Sequence, residues 1–231
     1  IVYNNTDDHV VIRGENKFMP AKIFEELSEE KRRRIIAACI TEFSEYGYTG
    51  SSTNRMIRNA GISKGSLFQY FRNKEELYFY VLDCVIQELT EYLEPGSKAL
   101  PEELFDRIIK YAELEFSWYI RNPEKGRLII DASAGKDTAV CQKVEERYRL
   151  KGQDIYDSLL EDIDVSMFRG GKKKTADILK WFLKGFNEDF NTRISPQEDM
   201  DFSSLQHDYV KSLSDYMELL KSGILTEEKE R

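Results

Sequence analysis

Apolar residues recur every three or four positions along most of this chain, the spacing that places them on one face of an α-helix. This pattern predicts a helix from Ser28 to about Tyr46 and a long helix from Asn73 to about Glu94. No sustained alternation of apolar and polar residues, as expected for strands, is present. The sequence therefore predicts an all-α fold.

Further helical patterns extend to the end of the chain and are separated by proline- or glycine-containing breaks. Pro95-Gly96-Ser97 is expected to end the long helix, because proline cannot continue the hydrogen-bonding pattern. The segment 162–173 reads as a loop. The remaining helices are predicted at about 101–121, after Pro123, and at about 138–161, 174–193 and 202–222.

The segment from Ser52 to Lys74 combines two short helical patterns with a tight turn. Gly61 can adopt the left-handed conformation that ends a helix without steric cost. Ser63 is placed to cap a second helix that runs to about Phe71. Two helices joined by a short turn that contains glycine form a helix-turn-helix, an arrangement that inserts its second helix into the major groove of DNA.

The second of these helices has an apolar inner face and a small, polar outer face. Leu67 and Phe71 share the inner face, while Ser66 and Gln69 point outwards and can form hydrogen bonds at base edges. Lysine and tyrosine side chains around them can bind phosphate oxygens, which fixes the register of a complex but carries no sequence information. The predicted DNA-binding residues are Thr53, Arg55, Ser63, Lys64, Gly65, Ser66, Phe68, Gln69, Tyr70 and Lys74.

The stretch from about Leu27 to Leu77 resembles the DNA-binding domain of the tetracycline-repressor (TetR) family of bacterial transcription regulators. The run GISKGSLFQYFRNKEEL carries most of the resemblance. Two positions depart from the usual pattern of that family. Phe68 replaces a tyrosine, which removes one possible phosphate contact, and Ile57 replaces a small residue between the two helices.

The resemblance implies a three-helix DNA-binding domain followed by a larger helical domain for ligand binding and dimerisation. It further implies a regulator, usually a repressor, that binds a palindromic operator as a homodimer and is released by a small-molecule effector with an apolar part. The aromatic residues of the later helices suggest an effector cavity, although ordinary core packing would explain them too. The predicted effector-binding residues are Trp118, Tyr119, Tyr148 and Trp181.

In the same family the last two helices of each protomer pair as a four-helix bundle. Two apolar faces near the end of this chain agree with such an interface, since a monomer would have to bury both alone. The predicted interface residues are Ile178, Phe182, Gly185, Phe186, Tyr209, Leu213, Tyr216 and Leu220.

Charge is divided unevenly along the chain, whose formal net charge is −8. Residues 19–72 contain nine basic and six acidic residues, whereas residues 73–231 contain 23 basic and 33 acidic residues. DNA responds to local charge, so the overall balance does not argue against DNA binding. We predict a tag or disordered extension over 1–18, the DNA-binding domain over 19–73, the effector-binding and dimerisation domain over 74–225, and a charged tail over 226–231.

The sequence offers little support for an enzyme. His9 and His207 are its two histidines, and no nucleophile, zinc-protease or dinucleotide motif is present. Cys39, Cys84 and Cys141 are widely spaced and are expected to be reduced core residues. We expect no metal, cofactor or membrane span, and a cytoplasmic protein. The main alternative is a helical adaptor that binds another protein without specific DNA recognition.

Overall fold

The protein is described by a computed structural model, which covers residues 20–134, 139–159, 168–193 and 201–224. The predicted N-terminal extension and charged tail lie outside these residues, as do residues 162–167 of the predicted 162–173 loop. The all-α prediction is confirmed. The helices are α1 (Lys22–Glu25), α2 (Glu29–Gly50), α3 (Thr53–Ala60), α4 (Lys64–Tyr70), α5 (Lys74–Ser97), α6 (Leu104–Arg121), α7 (Pro123–Ala134), α8 (Ala139–Leu159), α9 (Gly171–Arg193) and α10 (Phe202–Ile224).

Helices α1 to α4 pack at the N-terminal end against an apolar core that continues through α5, α6, α7 and α8. The Ser28 hydroxyl caps α2, and the regular part of that helix stops at Gly47, whose φ of 62° is left-handed. The short helix α1 did not emerge from the sequence pattern. It inserts the fully buried Phe24 against Tyr70 and Phe71, with ring centroids 5.3 and 5.0 Å apart. Phe24 thereby closes the core beneath the helix-turn-helix.

Helix α5 connects these N-terminal helices to the rest of the molecule. The Asn73 side chain accepts a hydrogen bond from the Glu76 backbone N–H at 2.8 Å, which caps the helix. The Glu76 carboxylate in turn accepts from the Arg72 backbone N–H at 2.7 Å. Because the apolar stripe of α5 is buried along its length, the helix can act as a rigid connector. That stripe consists of Leu77, Val81, Val85, Leu89 and Leu93.

The predicted end of α5 is wrong by one turn, since the helix continues through Pro95 to Ser97. A proline this near the C-terminus of a helix removes few hydrogen bonds, and the Ser97 hydroxyl donates to the Glu94 carbonyl at 2.8 Å. A side chain at Gly96 would collide with Leu114 of α6. The glycine therefore permits close packing of α5 and α6 and does not mark a break.

Helices α6 to α10 form a larger unit with a second apolar core between α6, α9 and α10. Helix α7 links this unit back to the N-terminal helices, since the Thr41 hydroxyl of α2 donates to the Glu124 carboxylate at 3.1 Å. The Asp131 carboxylate of α7 lies 3.2 Å from the place a Cβ would occupy at Gly47. Contacts between α2 and α7 thus fix the orientation of the helix-turn-helix against the rest of the protein.

Candidate functional site

The turn between α3 and α4 has the geometry that its sequence predicts. Gly61 is left-handed, with φ 61° and ψ 40°, and the next residue donates its backbone N–H to the Ile57 carbonyl at 3.1 Å. The Ser63 hydroxyl accepts from the backbone N–H of Ser66 at 3.2 Å and so caps α4. These local bonds hold α4 at a defined angle to α3.

Helix α4 presents one face to the core and the other to solvent. Leu67 and Phe71 are 2% and 1% exposed, so the predicted inner face is correct. Gly65 and Gln69 are exposed on the opposite side, and Phe68 is 44% exposed. No atom lies within 4 Å of where a Cβ would stand at Gly65. The outer face can therefore approach a large partner without steric obstruction.

Tyr70 does not lie where the sequence placed it. The sequence predicts that Tyr70 contacts phosphate. Tyr70 is instead 5% exposed, and its ring packs on Phe24. Its carbonyl accepts from the Ala21 backbone N–H at 2.9 Å. The reason is helical geometry, because position 70 follows the buried Leu67 by three residues and shares its side of the helix.

Arg55, a predicted DNA-binding residue on α3, is held by a buried carboxylate that the sequence reading missed. Its Nε donates to Oε1 of Glu42 at 2.8 Å, and its guanidinium lies 4.1 Å from the Tyr46 ring centroid. Glu42 is 2% exposed and also accepts from the backbone N–H of Ser52 at 2.7 Å. Glu42 lies among the inward-facing positions of α2, and this position in the helical pattern could have predicted its burial.

Lys64 and Lys74 differ in how accessible their ammonium groups are to a phosphate. Lys64 is exposed at the start of α4, whereas the Lys74 ammonium donates to the Ser51 carbonyl at 3.0 Å and lies 4.7 Å from the Tyr48 ring centroid. Burial lowers the pKa of Lys74. Thr53, the first residue of α3, is half-buried. The structure thus brings the predicted DNA-binding residues except Tyr70 to one edge of the molecule.

Two of the four predicted effector-binding residues are buried, and a third, Tyr148, is half-buried. Trp118 and Tyr119 are 4% and 5% exposed, with ring centroids 5.8 Å apart. The Tyr148 hydroxyl donates to the Asp83 carboxylate at 2.9 Å, and Arg147 binds the same carboxylate at 2.6 Å. Burial, followed by the charge of Asp83, raises the pKa of Tyr148. The contacts of Arg147 and Tyr148 with Asp83 join α8 to α5.

Trp181, the fourth predicted effector-binding residue, is exposed. It is 73% exposed on α9, while Leu179 and Leu183 are 0% and 5% exposed. A residue two positions from each of these buried leucines points about 200° away from them on a helix. Trp181 therefore lies on the outer surface of α9.

The predicted interface residues divide into an exposed group and a buried group. Ile178 and Tyr216 are 39% and 49% exposed, and Gly185 is exposed with nothing near its Cβ position. Leu213, predicted as an interface residue, is 0% exposed and packs in the core of its own protomer, where it would not contact a second copy. It is separated from the buried Met217 by four residues, which places both on the inner side of α10.

The other interface candidates are partly buried. Phe182, Phe186 and Leu220 pack against the second core, and the Tyr209 hydroxyl donates to the Asn187 side chain at 2.5 Å. Leu219, which is not among the predicted interface residues, is 70% exposed. We call Ile178, Trp181, Gly185, Tyr216 and Leu219 the outer face of α9 and α10.

A groove of about 740 Å³ lies between α6 and α10, where Lys110, Gln206 and Lys211 contribute to its walls. In the described parts of the chain, no three His, Cys, Asp or Glu side chains come together as metal ligands would. Within the same residues, no helix combines the length and apolar character needed to cross a membrane.

The sequence matches known proteins mainly through the helix-turn-helix. Residues 35–81 match the family described as bacterial regulatory proteins, tetR family. The chain is 38% identical over 72 residues to the HTH-type transcriptional regulator HbdR of Aromatoleum sp. (strain CIB), covering 29% of this chain and 31% of HbdR. It is 38% identical over 56 residues to RutR of Escherichia coli (strain K12), covering 24% of this chain and 26% of RutR. The chain thus covers about a third or less of the length of these two relatives.

Solved structures resemble the fold over most of its length. A TetR family transcriptional regulator from Chloroflexus aurantiacus J-10-FL superposes with a TM-score of 0.56 and 19% identity, over 90% of this chain and 99% of that one. AibR, solved in complex with isovaleryl coenzyme A and operator DNA, superposes with a TM-score of 0.56 and 12% identity, over 79% of this chain and 97% of that one. HbdR, RutR and the Chloroflexus aurantiacus protein are each described as a transcriptional regulator. Residues 35–81 thus form a helix-turn-helix similar to that of the tetR family of bacterial regulatory proteins, and the described helices share the fold of these solved structures.

Proposed function

We propose that this protein is a sequence-specific DNA-binding transcription regulator that acts as a repressor in the cytoplasm. It binds a palindromic operator as a homodimer and is released by a small-molecule effector. The observation that carries the proposal is the outer face of α4, where Gly65, Ser66 and Gln69 stand clear of the core on a firmly capped helix. Such a helix fits the major groove, where an amide and a hydroxyl can bind base edges.

Phosphate binding would use the polar groups around α4. The exposed Lys64 and the N-terminus of α4 supply positive charge. Arg55 at the start of α3 and Lys74 at the start of α5 add two further cations beside α4. Phe68 provides a partly exposed ring without a hydroxyl. These contacts would set the register of α4, and Ser66 and Gln69 would read the sequence.

Homodimerisation is supported by the outer face of α9 and α10. Trp181 and Leu219 are 73% and 70% exposed, and a large exposed apolar surface of this kind usually marks an interaction site. Both helices are long and lie at the far end of the chain from the helix-turn-helix. A second copy that covers the same face would give a two-fold assembly, in which two α4 helices read two half-sites about 34 Å apart.

Effector release is the third part of the proposal. Helix α7 contacts α2 through Glu124 and Asp131, so a ligand that shifts α7 would also shift the helix-turn-helix. The ligand changes operator affinity only by as much as it prefers one arrangement over the other. AibR was solved with an acyl-coenzyme A and operator DNA, which supports a ligand-responsive regulator with this fold.

The test is in vitro selection of random duplex DNA by the full chain, followed by affinity measurements across salt concentrations. We expect a palindromic site and a steep salt dependence, with log K falling by about 0.9 per phosphate contact for each unit of log salt concentration. No enriched sequence, or binding that salt barely changes, would contradict the proposal. The second result would favour the alternative of a helical adaptor that binds another protein.

A further inference from the structure

Helix α6 carries three polar side chains on one inward face. Tyr111, Glu115 and Tyr119 follow one another at intervals of four residues, so they lie in a row along the helix. The Tyr119 hydroxyl donates to the Glu115 carboxylate at 2.5 Å. An ionisable side chain in this position is unusual, because the other inward-facing residues of α6 are mostly apolar.

Glu115 packs among protein atoms and is half-buried. Protein atoms surround its carboxyl group, and burial raises its pKa above the ordinary value. The residue nevertheless keeps a partial accessible surface, as do Tyr111 of the same helix and Tyr209 of α10. The side chains of Tyr111, Glu115 and Tyr209 thus pack among the helices while each keeps some accessible surface.

The Glu115 carboxylate has no cationic partner among the described residues. The lysine and arginine ion pairs of these residues go to other carboxylates, and the hydrogen-bond donor to Glu115 is the neutral hydroxyl of Tyr119. That hydroxyl lowers the carboxyl pKa less than burial raises it. A buried carboxylate without a counter-ion is costly, which makes the site complementary to a positive charge.

Aromatic rings pack around Tyr119, the hydrogen-bond donor to Glu115. The Tyr119 ring lies 5.7 Å from that of Phe116 and 5.8 Å from that of Phe202, measured between centroids. The rings of Phe116 and Tyr209 are 5.1 Å apart. The faces of such rings carry partial negative charge and attract cations, most strongly where water is excluded.

We propose that Glu115, together with Tyr111, Tyr119 and Tyr209, forms a binding site for a small organic ammonium ion. The carboxylate neutralises the charge, and the tyrosine rings contact the alkyl groups. This inference rests on the proposed function and assigns a chemical class to its effector. The ligand therefore combines an apolar part with a positive charge.

The experiment is calorimetric titration of the full chain with tetraalkylammonium ions from tetramethyl to tetrabutyl, and with choline beside its uncharged isostere 3,3-dimethylbutanol. We expect at least one ammonium ion to bind, and choline-sized cations to bind at least about tenfold more tightly than the neutral isostere. Glu115→Gln should weaken cation binding by at least about tenfold, equivalent to about 1.4 kcal/mol, with little change for the neutral compound.

Glu113→Gln is the matched control, because it makes the same substitution on α6 at a carboxylate that pairs with Lys110 near the surface. It should leave cation binding unchanged. Glu115→Asp keeps the charge and should retain part of the binding, and circular dichroism would confirm that each variant is folded. Absence of binding by every cation, or equal binding by the wild type and Glu115→Gln, overturns the inference.

Operator binding is measured separately with the DNA from the selection experiment. If the wild type and Glu115→Gln bind that DNA equally but cations do not bind either protein, the ammonium site is wrong and the regulator remains supported. If cations bind but no DNA sequence is selected, the proposed function fails while the site stands. The two failures are therefore distinguishable.

Discussion

Gln69 is the exposed amide on the outer face of α4, and an amide can form two hydrogen bonds with an adenine edge. We expect Gln69→Ala to weaken binding to the selected operator by about 1–3 kcal/mol and to relax the preference at one base pair of each half-site. Fluorescence anisotropy with the operator and its single-base variants measures both effects. Gln87→Ala, at an exposed amide on α5, is the control and should bind like the wild type. Uniform weakening across all sequences would instead assign Gln69 to the DNA backbone.

Glu115 makes the binding of an ammonium ion dependent on pH. Burial raises its pKa in the free protein, and a cation binds the ionised carboxylate in preference to the neutral acid. Affinity should therefore rise as pH increases through the raised pKa and become constant above it, falling by roughly tenfold per unit below it. The phenol of Tyr119 does not oppose this, since burial raises its pKa well above the ordinary value and it stays neutral.

Calorimetry from roughly pH 5 to 8 would measure this dependence, with Glu115→Gln as the control that should remove it. A flat profile in the wild type would mean that the carboxylate does not meet the positive charge.

Single residues also mark the limit of what the sequence could predict. Leu67 and Gly61 were placed correctly because helical spacing and turn chemistry are local properties. Tyr70 and Trp181 were misplaced because an aromatic side chain suits a core, a cavity or an interface equally well. Which of these it occupies depends on the neighbouring helix, as Phe24 decides for Tyr70. Glu115 was missed for the same reason, since its surroundings come from other helices.

Two glycines of the helix-turn-helix, Gly61 and Gly65, should respond to substitution with opposite changes in stability. Gly61 has a φ of 61° and open space around its Cβ position, so Gly61→Ala should destabilise the fold by about 1 kcal/mol through backbone strain alone. Gly65 lies within α4, also with open space, so Gly65→Ala should stabilise the fold by about 0.5–1 kcal/mol. Denaturant unfolding measures both changes. The same sign for both would refute the assigned conformations.

Operator affinity separates these two glycines further. Gly65→Ala should lower affinity, despite its greater stability, because the added methyl group keeps the backbone of α4 away from the DNA. Gly61→Ala should leave affinity nearly unchanged in the folded population. At this scale the sequence predicted most helices within a few residues, but it missed α1, whose four residues are too few for a periodic pattern to appear.

The association state of the whole protein depends on what covers the outer face of α9 and α10. Leu219 is 70% exposed beside other apolar residues, so Leu219→Asp places a charge where a second copy would pack. We expect this variant to be monomeric at micromolar concentration and to lose most operator affinity, since one α4 helix contacts a single half-site.

Analytical ultracentrifugation and anisotropy measure these two properties of Leu219→Asp. Ile120→Asp, at an exposed apolar residue on α6, is the matched control and should remain dimeric. An unchanged association state in the Leu219 variant would place the interface elsewhere.

The two tryptophans of the chain stand in contrasting surroundings, and this gives the protein a pair of built-in optical reporters. Trp181 is 73% exposed on the outer face, so its emission should shift to shorter wavelength when a second copy covers it. Trp118 is 4% exposed and touches Tyr119, the partner of Glu115, so its emission should respond to occupancy of the interior. Replacing either tryptophan with phenylalanine would leave one signal, which allows self-association and ligand binding to be followed separately in an unlabelled sample.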